Sequence, residues 1–537
     1  MNPRWSLALL LLFAVPALSW QLGSRGLNEP DEGRYATISY EMYAGGDWMT
    51  PRLYDRAHFD KPPLTYWLMA SAYRVFGVNE WAARLPAALS ALGTLLLTWS
   101  LGRRLFGPIE ALLAGLVLLT SPMFFVVARL CDCNMLLTFW TTLCFWALVG
   151  WFADGRRWQL LLFYAAAGVS FLVKGPVGPL VVLLSILAFR LTQPVGLLWR
   201  PFASLGGILL AALIALPWFI LACLQRPELW DFFVLRELLG RFATTVHGRV
   251  EAPWYYLVIF PVAVLPWLPA ALAGLLDARR HWRAAPAVRL LVCWVIVPLV
   301  FFTLSRSKIP SYILPILPAV ALIAGRQIPS LWSKRVGAWI QAGFTAACVA
   351  GLVFGFRAFG REREWSTFFA ATDLWWLLLA LAAAFFVFRY HGWRKAVACA
   401  ALLVVGFEFS FDLIRRHDHE LGHYTAMRQV ATAIREQIQP SDKVVSYHRT
   451  PMGLGFYLQR PVINDRSEFP LQVGIDSERI VPHTYGSEEE LDALLDSPET
   501  VYVIMDKKRP YAFSMPRDHG LQEIYRGYSL LVAVNRR

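Results

Sequence analysis

Two polar clusters stand between the first long apolar runs of the chain, Asn28-Glu29-Pro30-Asp31-Glu32-Gly33-Arg34 and His58-Phe59-Asp60-Lys61-Pro62-Pro63. In the first, Glu29, Asp31 and Glu32 crowd carboxylates beside Arg34. Such a group can orient or deprotonate a nucleophile. A plainer reading is also open: Pro30 biases Glu29 toward extended backbone, and Asp31 caps a helix beginning near Gly33, its acids merely solvated. In the second cluster the two prolines hold Lys61 in an extended, rigid stretch, so that a compact cation points from a fixed place, as phosphate binding needs. The alternative is a lysine snorkelling at a helix start. Asp60 and His58 are of types that ligate hard or borderline metals, although a lone histidine near one acid is more often structural.

Four more polar sites interrupt the apolar runs. They are Arg129-Leu130-Cys131-Asp132-Cys133-Asn134, Lys174-Gly175-Pro176, the loop 225–253 with Arg236, Glu237, Arg241, His247 and Arg249, and the stretch 305–312, which holds Lys308 and Tyr312. Each alone reads as a solvated helix end. Together they offer fixed cations and acids at one membrane surface, an arrangement suited to an anionic phosphate head group.

The elements that must position these residues are mostly membrane helices. Of 537 residues 57% are hydrophobic, 14% aromatic and only 17% charged, where soluble domains carry about 25% charged residues. Hydropathy and length predict about 13 spans, near 5–20, 84–101, 109–127, 135–152, 158–173, 177–192, 203–224, 254–276, 288–304, 313–327, 336–355, 374–390 and 396–413. The first run lacks a small-residue cleavage site and is expected to be retained as a helix. The net charge of +13 is concentrated in alternate gaps, at Arg103-Arg104, Arg156-Arg157, Arg190 with Arg200, Arg279-Arg280, Lys334-Arg335 and Arg394-Lys395. This is the positive-inside pattern, so the basic balance reports topology and no nucleic-acid partner is expected. It puts 21–83, 128–134, 174–176, 225–253, 305–312, 356–373 and everything after 414 outside, an assignment that an even number of spans would reverse for the tail. The first outer loop contains two stretches, 33–44 and 64–78, with the apolar spacing of helices lying in the interface. From 414 charge rises, and strands at 443–447 and 500–505, helices at 425–437 and 487–495, and a hairpin of 521–525 with 529–534 predict a small α/β domain.

Cys144, Cys223, Cys293, Cys348 and Cys399 lie in or beside apolar runs and read as packing residues, while Cys131 and Cys133 flank Asp132 too closely to pair with each other. There is no Walker loop, GxGxxG after a strand, HExxH or GxSxG. A transporter is a weaker reading, because no charged ladder crosses the spans.

Asp31-Glu32-Gly33-Arg34-Tyr35-Ala36, Gly46-Asp47-Trp48, Phe59-Asp60-Lys61-Pro62, Lys174-Gly175 and Lys308-Ile309-Pro310-Ser311-Tyr312-Ile313-Leu314-Pro315 resemble the GT-C membrane glycosyltransferases that use a polyprenyl-phosphate sugar. The nearest resemblance is to the lipid A 4-amino-4-deoxy-L-arabinose transferases, with the protein O-mannosyltransferases more distant. It covers about 28–318 and implies a polytopic GT-C membrane domain, 1–413, followed by a periplasmic α/β domain, 414–537. It implies an inverting, monomeric inner-membrane enzyme that moves a sugar from undecaprenyl phosphate to lipid A or another lipid acceptor on the periplasmic face. Asp31, Arg34, Lys61 and Asp132 would then be catalytic. Arg34, Lys61, Lys174, Arg241 and Tyr312 would bind the carrier phosphate, Tyr312 from a lid loop. Glu32, Tyr35, His58, Asn134, Glu237 and Lys308 would line the substrate cavity, and Asp60, less strongly His58, would ligate a divalent metal if one is used. Three positions depart from the type: Asp60 stands for a glutamate, Leu238 follows Glu237 where a histidine is usual, and Asn134 takes the place of an outer-loop aspartate. Another glycolipid, a glycan or a protein therefore stays open as acceptor, as does a non-enzymatic polyprenyl-phosphate binder or flippase.

Overall fold

Helices dominate the first part of the chain, as its apolar runs require in a medium where every backbone polar group must be paired internally. The structure, a computed structural model, describes residues 1–192, 204–233, 251–280, 282, 285–333, 343–344, 389–390, 392–416, 426–447, 451–465, 484–485, 487–507, 519–527 and 529–535. Helix α1 is Pro3–Ser19, α2 Asp31–Gly45, α3 Leu64–Phe76, α4 Glu80–Leu105, α5 Pro108–Leu119, α6 Pro122–Val127, α7 Cys133–Asp154, α8 Arg157–Lys174, α9 Val177–Leu191 and α10 Leu205–Gln225. Among the described residues five helices are long and apolar enough to cross a membrane, or six if a bent pair counts as one span. The expected spans 336–355 and 374–390, and with them the figure of 13, lie outside the described residues.

Three expected spans are not continuous helices, and prolines account for each. The run 109–127 divides at Thr120-Ser121, because Pro122 opens α6 and cannot donate to the preceding turn. The run 254–276 is two helices, Tyr255–Val264 and Leu268–Arg280, bent by 111° around Pro266. The run beginning at 313 starts earlier, as a 3₁₀ turn over Pro310–Ile316, and passes into the helix Leu317–Ser333. That turn leaves Lys308, Ser311 and Tyr312 at the site end of a buried helix.

Small residues let the membrane helices approach closely. A Cβ at Gly102 of α4 would lie 2.8 Å from Ala111 Cα of α5, and one at Gly325 would lie 2.6 Å from Ala114 N. Phe145 and Trp294 stack at 3.9 Å in the same core.

Both helices foreseen in the first outer loop form, as α2 and α3, linked by a two-stranded hairpin of β1 Arg52–Leu53 and β2 Arg56–Ala57. Asp31 does not cap α2. The N-cap position is Pro30, without a side-chain cap bond, and Asp31 is the first helical residue. The Glu32 carboxylate instead reaches back to Asn28 N–H at 3.0 Å.

In the tail, β3 (Lys443–Tyr447), β4 (Ile463–Asp465), β5 (Thr484–Tyr485), β6 (Val501–Asp506), β7 (Gln522–Arg526) and β8 (Leu530–Val534) form one sheet in the order β5-β4-β3-β6-β8-β7. Neighbours from β5 to β6 are parallel, and β8 is antiparallel to both β6 and β7. The central strands β3, β6 and β8 are buried along nearly their whole length because both faces are covered. Val445, Val503 and Leu531 pack with Leu491 and Leu495 of the helix Glu488–Leu495. Val444, Tyr502 and Ile504 belong to the continuous core that includes Met427, Val430 and Ile434 of the helix Ala426–Arg435 and runs on into the membrane helices.

Candidate active site

The first polar cluster converges with the second as a relay of opposite charges. Arg34, one turn into α2, donates to Asp31 Oδ1 at 3.0 Å and approaches Asp60 Oδ2 at 3.9 Å. Lys61 Nζ lies 2.9 Å from the same Asp60 oxygen and 3.0 Å from the Asp60 carbonyl. One buried carboxylate is thus held between two cations, while the Asp31 side chain, 62% exposed, stands at the outer end of the relay. Burial opposes charge on Arg34, but Asp60 foremost, with Tyr35 and Asp31, raises its pKa above the ordinary value, and it stays cationic. Lys61 is buried rather than snorkelling. The rigid approach to Pro62-Pro63 points it inward, to Asp60.

A second group comes from three other elements. Asp132 caps α7 by accepting from Asn134 N–H, and it accepts from Asn134 Nδ2 at 2.6 Å. Asn134 Nδ2 also reaches Ser311 Oγ at 3.0 Å. The Asn134 side-chain Oδ1 accepts from Lys174 Nζ, at the C-terminal end of α8, and that ammonium sits 4.3 Å from the centre of the Tyr312 ring. Burial raises the pKa of Asp132 above the usual carboxylate range; the Asn134 bonds and Lys174 oppose this only in part, and Asp31 adds to it. Tyr35 lies between the groups, its hydroxyl 3.3 Å from Cys133 Sγ and its ring 5.4 Å from that of Tyr66. Among the sequence candidates, Asp31, Arg34, Asp60 and Lys61 meet in one relay, and Asp132, Asn134, Lys174 and Tyr312 in the other. Lys308 is buried just before the turn that holds Tyr312, its Nζ 3.4 Å from the Glu251 carbonyl. Arg241 and Glu237 lie outside the described residues.

Glu32 is not a cavity residue. Its carboxylate is gripped by Arg84, Nε to Oε1 and a terminal nitrogen to Oε2, both at 2.9 Å. Oε1 also accepts the Cys131 N–H at 3.0 Å. Burial alone would raise the Glu32 pKa, but Arg84, helped by Arg25 and the Asn28 N–H, overrides it and brings it to about 2. Arg84 spends its remaining donors on the carbonyls of Leu22, Arg25 and Gly26 at 2.8–3.0 Å. This buried pair fixes the α2 start, beside Asp31, to the loop that carries Asp132. Sequence reasoning placed Arg84 at the edge of an ordinary span. Its signal was a single guanidinium at a membrane boundary, where such a charge needs a partner.

His58 is buried and its Nε2 has no hydrogen-bond partner. Burial, and then Arg34, push its pKa down to about 3, so the ring is neutral. A divalent metal at Asp60 and His58 fits the described residues poorly. Asp60 is already flanked by Arg34 and Lys61, and no three ligand-type side chains gather among the described residues.

The chain is similar to known proteins in both sequence and fold. Residues 60–221 match the family described as dolichyl-phosphate-mannose-protein mannosyltransferase. The undecaprenyl phosphate-alpha-4-amino-4-deoxy-L-arabinose arabinosyl transferase of Pseudomonas paraeruginosa is 34% identical over 380 residues, 66% of this chain and 66% of that protein, so the match spans just under two thirds of its length. The protein of the same description from Aeromonas salmonicida is 30% identical over 433 residues, 75% of this chain and 76% of its own. The crystal structure of ArnT from Cupriavidus metallidurans bound to undecaprenyl phosphate superposes with a TM-score of 0.84 at 27% identity, covering 100% of this chain and 99% of that one.

Proposed function

The chain belongs to the family of the undecaprenyl phosphate-alpha-4-amino-4-deoxy-L-arabinose arabinosyl transferases, and from that premise we propose that it moves 4-amino-4-deoxy-L-arabinose from undecaprenyl phosphate to a phosphate of lipid A. The observation that carries this reading is the pair of cations, Arg34 and Lys61, held on the buried Asp60 at one end of a site whose other end is Lys174 over Tyr312.

In the reaction, an oxygen of the lipid A phosphate attacks the anomeric carbon. The bond from that carbon to the carrier's phosphate oxygen breaks, and its electron pair leaves with the carrier. The carrier phosphate goes from a diester monoanion to a monoester dianion, and the acceptor phosphate goes the other way. One displacement inverts the anomeric centre. A phosphate monoester has its second pKa at about 6 and is largely dianionic at pH 7, so no base is needed. Charge therefore grows at the carrier, where Arg34, Lys61 and Lys174, with Arg241 as a fourth cation, offset it. Asp31, exposed beside Arg34, orients the acceptor or holds the sugar amine. The turn with Tyr312 closes over the carrier phosphate. A hydroxyl acceptor is the second reading: it would need a base, and Asp132, whose pKa burial raises, would supply it.

The enzyme works as a monomer in the bacterial inner membrane with about 13 spans. The positive-inside pattern puts the site and the tail from 414 on the periplasmic side. Mass spectrometry of lipid A from cells with and without the gene tests the proposal. Pentosamine addition that depends on the gene is expected, and its absence under conditions where the protein is made would overturn the acceptor assignment.

A further inference from the structure

Asp31 and Arg34 are separated by Glu32 and Gly33, and the backbone at Gly33 touches a segment more than 400 residues away in sequence. A Cβ on Gly33 would lie 2.3 Å from Glu29 Oε1, 2.6 Å from Gly453 N and 2.8 Å from Gly453 Cα. Gly453 N–H donates to Glu29 Oε1 at 2.8 Å. Along the rest of α2, Thr37 Oγ1 donates to the Met452 carbonyl at 2.6 Å and accepts from Phe456 N–H at 3.3 Å. Tyr40 hydroxyl donates to the Gln459 carbonyl at 2.8 Å. Tyr54 hydroxyl donates to the Pro451 carbonyl. On its other side the segment is tied toward the sheet: Arg435 holds the Tyr457 carbonyl at 3.0 Å, and Arg460 holds the Gln439 and Asp442 carbonyls at 3.0 and 3.1 Å.

We propose that the tail segment 451–459 is a positioning element of the transferase site, setting through Gly33, Gly453 and Glu29 where Asp31 and Arg34 stand relative to Asp60. The inference rests on the transferase reading for its activity arm. Its physical basis is that the Glu29 carboxylate can swing aside from a Cβ on Gly33, whereas the Gly453 backbone at 2.6–2.8 Å cannot. A methyl group at Gly33 must move either the segment or the first turn of α2 by about 1 Å to reach ordinary contact, and a misplacement of that size costs about 100-fold in rate. A methyl group at Gly453 meets chiefly the movable end of Glu29, at 2.5 Å, and then Gly33 Cα at 3.1 Å, so it is milder.

The test uses the full chain in detergent. Gly33→Ala is expected to lower kcat about 100-fold, with a smaller change in KM for the carrier-linked donor, and Gly453→Ala is expected to lower kcat less. Glu29→Ala combined with Gly453→Ala is expected to be no worse than Glu29→Ala alone, because both act on one contact, whereas independent destabilisation would add. Tyr40→Phe loosens the same segment about 10 Å further along α2, and it is expected to lower the apparent Tm while leaving kcat within two-fold. Hydrogen exchange is read in parallel, with faster exchange at 29–37 expected for Gly33→Ala. That arm stands even if wild-type protein transfers no sugar, an outcome that would fault the functional reading alone. Gly33→Ala with wild-type kcat in an active enzyme, or with unchanged exchange at 29–37, would overturn the inference. If Gly33→Ala does not fold, Gly453→Ala with wild-type kcat and exchange does the same.

Discussion

Replacing Arg84 by methionine removes the main cation on Glu32 and leaves a buried carboxylate with only Arg25, 3.5 Å from Oε2, as counter-ion. Breaking such a pair from one side costs about 3–5 kcal/mol. The titration of Glu32 gives an independent figure. Its pKa falls from 4.5 to about 2 on folding, which at about 1.4 kcal/mol per pH unit amounts to about 3 kcal/mol. Because the folded value lies below the unfolded one, this stabilisation is fully present above pH 4.5 and is lost as pH falls toward 2. In Arg84→Met, burial acts on Glu32 without its main opponent, so its pKa rises and the carboxyl protonates readily in mild acid. The apparent Tm deficit of the variant, measured by intrinsic fluorescence in detergent, should therefore be large at pH 7 and shrink at pH 4.5. Glu32→Gln with Arg84→Met should recover much of the Tm, since removing both charges of a buried pair is often near neutral. It should not recover transfer, because the Cys131 N–H and the 22–26 carbonyls lose their common anchor. An Arg84→Met protein with a wild-type Tm, or with the same deficit at both pH values, would refute the role assigned to the pair.

Other perturbations separate the parts of the site. Asp31→Asn touches one exposed contact to Arg34; it should keep the wild-type Tm and lose transfer about 100-fold through misplaced substrate, read as initial rate. Lys61→Ala should lose about 10²–10³-fold in transfer and, because Lys61 is buried on Asp60 rather than wet, should also lower the apparent Tm. Burial raises Glu41 to about 7, ahead of the opposing Tyr54 and Asp55 N–H groups, so its contribution is full below pH 4.5 and lost as pH rises through 7; Glu41→Gln should gain Tm relative to wild type at pH 8 more than at pH 4.5. Chelation with EDTA should leave transfer within two-fold, since Arg34 and Lys61 already neutralise Asp60; loss of activity restored by a divalent cation would show that Asp60 has a metal partner.

Much of the architecture was legible because its signals are local. Apolar length marks the helices, and the strands 443–447 and 530–534 hold apolar residues bounded by turns and charges. The errors fall where proline and long-range pairing decide. Pro122 and Pro266 break spans that hydropathy joins. The acids of the first cluster look alike in sequence, yet Asp31 points to solvent while Glu32 is sealed under Arg84, a residue 52 positions away. Nothing near Gly33 announces that Gly453 rests on it, since that contact joins the first outer loop to the tail and no local pattern encodes it. Lys61 was legible as a rigidly placed cation, but its burial on Asp60 depends on Arg34 arriving from α2.

In the proposed reaction the Arg34–Asp60–Lys61 relay accepts the negative charge of a departing undecaprenyl phosphate. Purified protein supplied with undecaprenyl-phosphate-linked 4-amino-4-deoxy-L-arabinose and lipid A tests it directly, with both free undecaprenyl phosphate and pentosamine-bearing lipid A followed over time. The two products are expected to appear together at equal rates in wild type, and both rates to collapse in Lys61→Ala. Wild-type protein that releases neither product, or a Lys61→Ala variant that releases both at the wild-type rate, would contradict it.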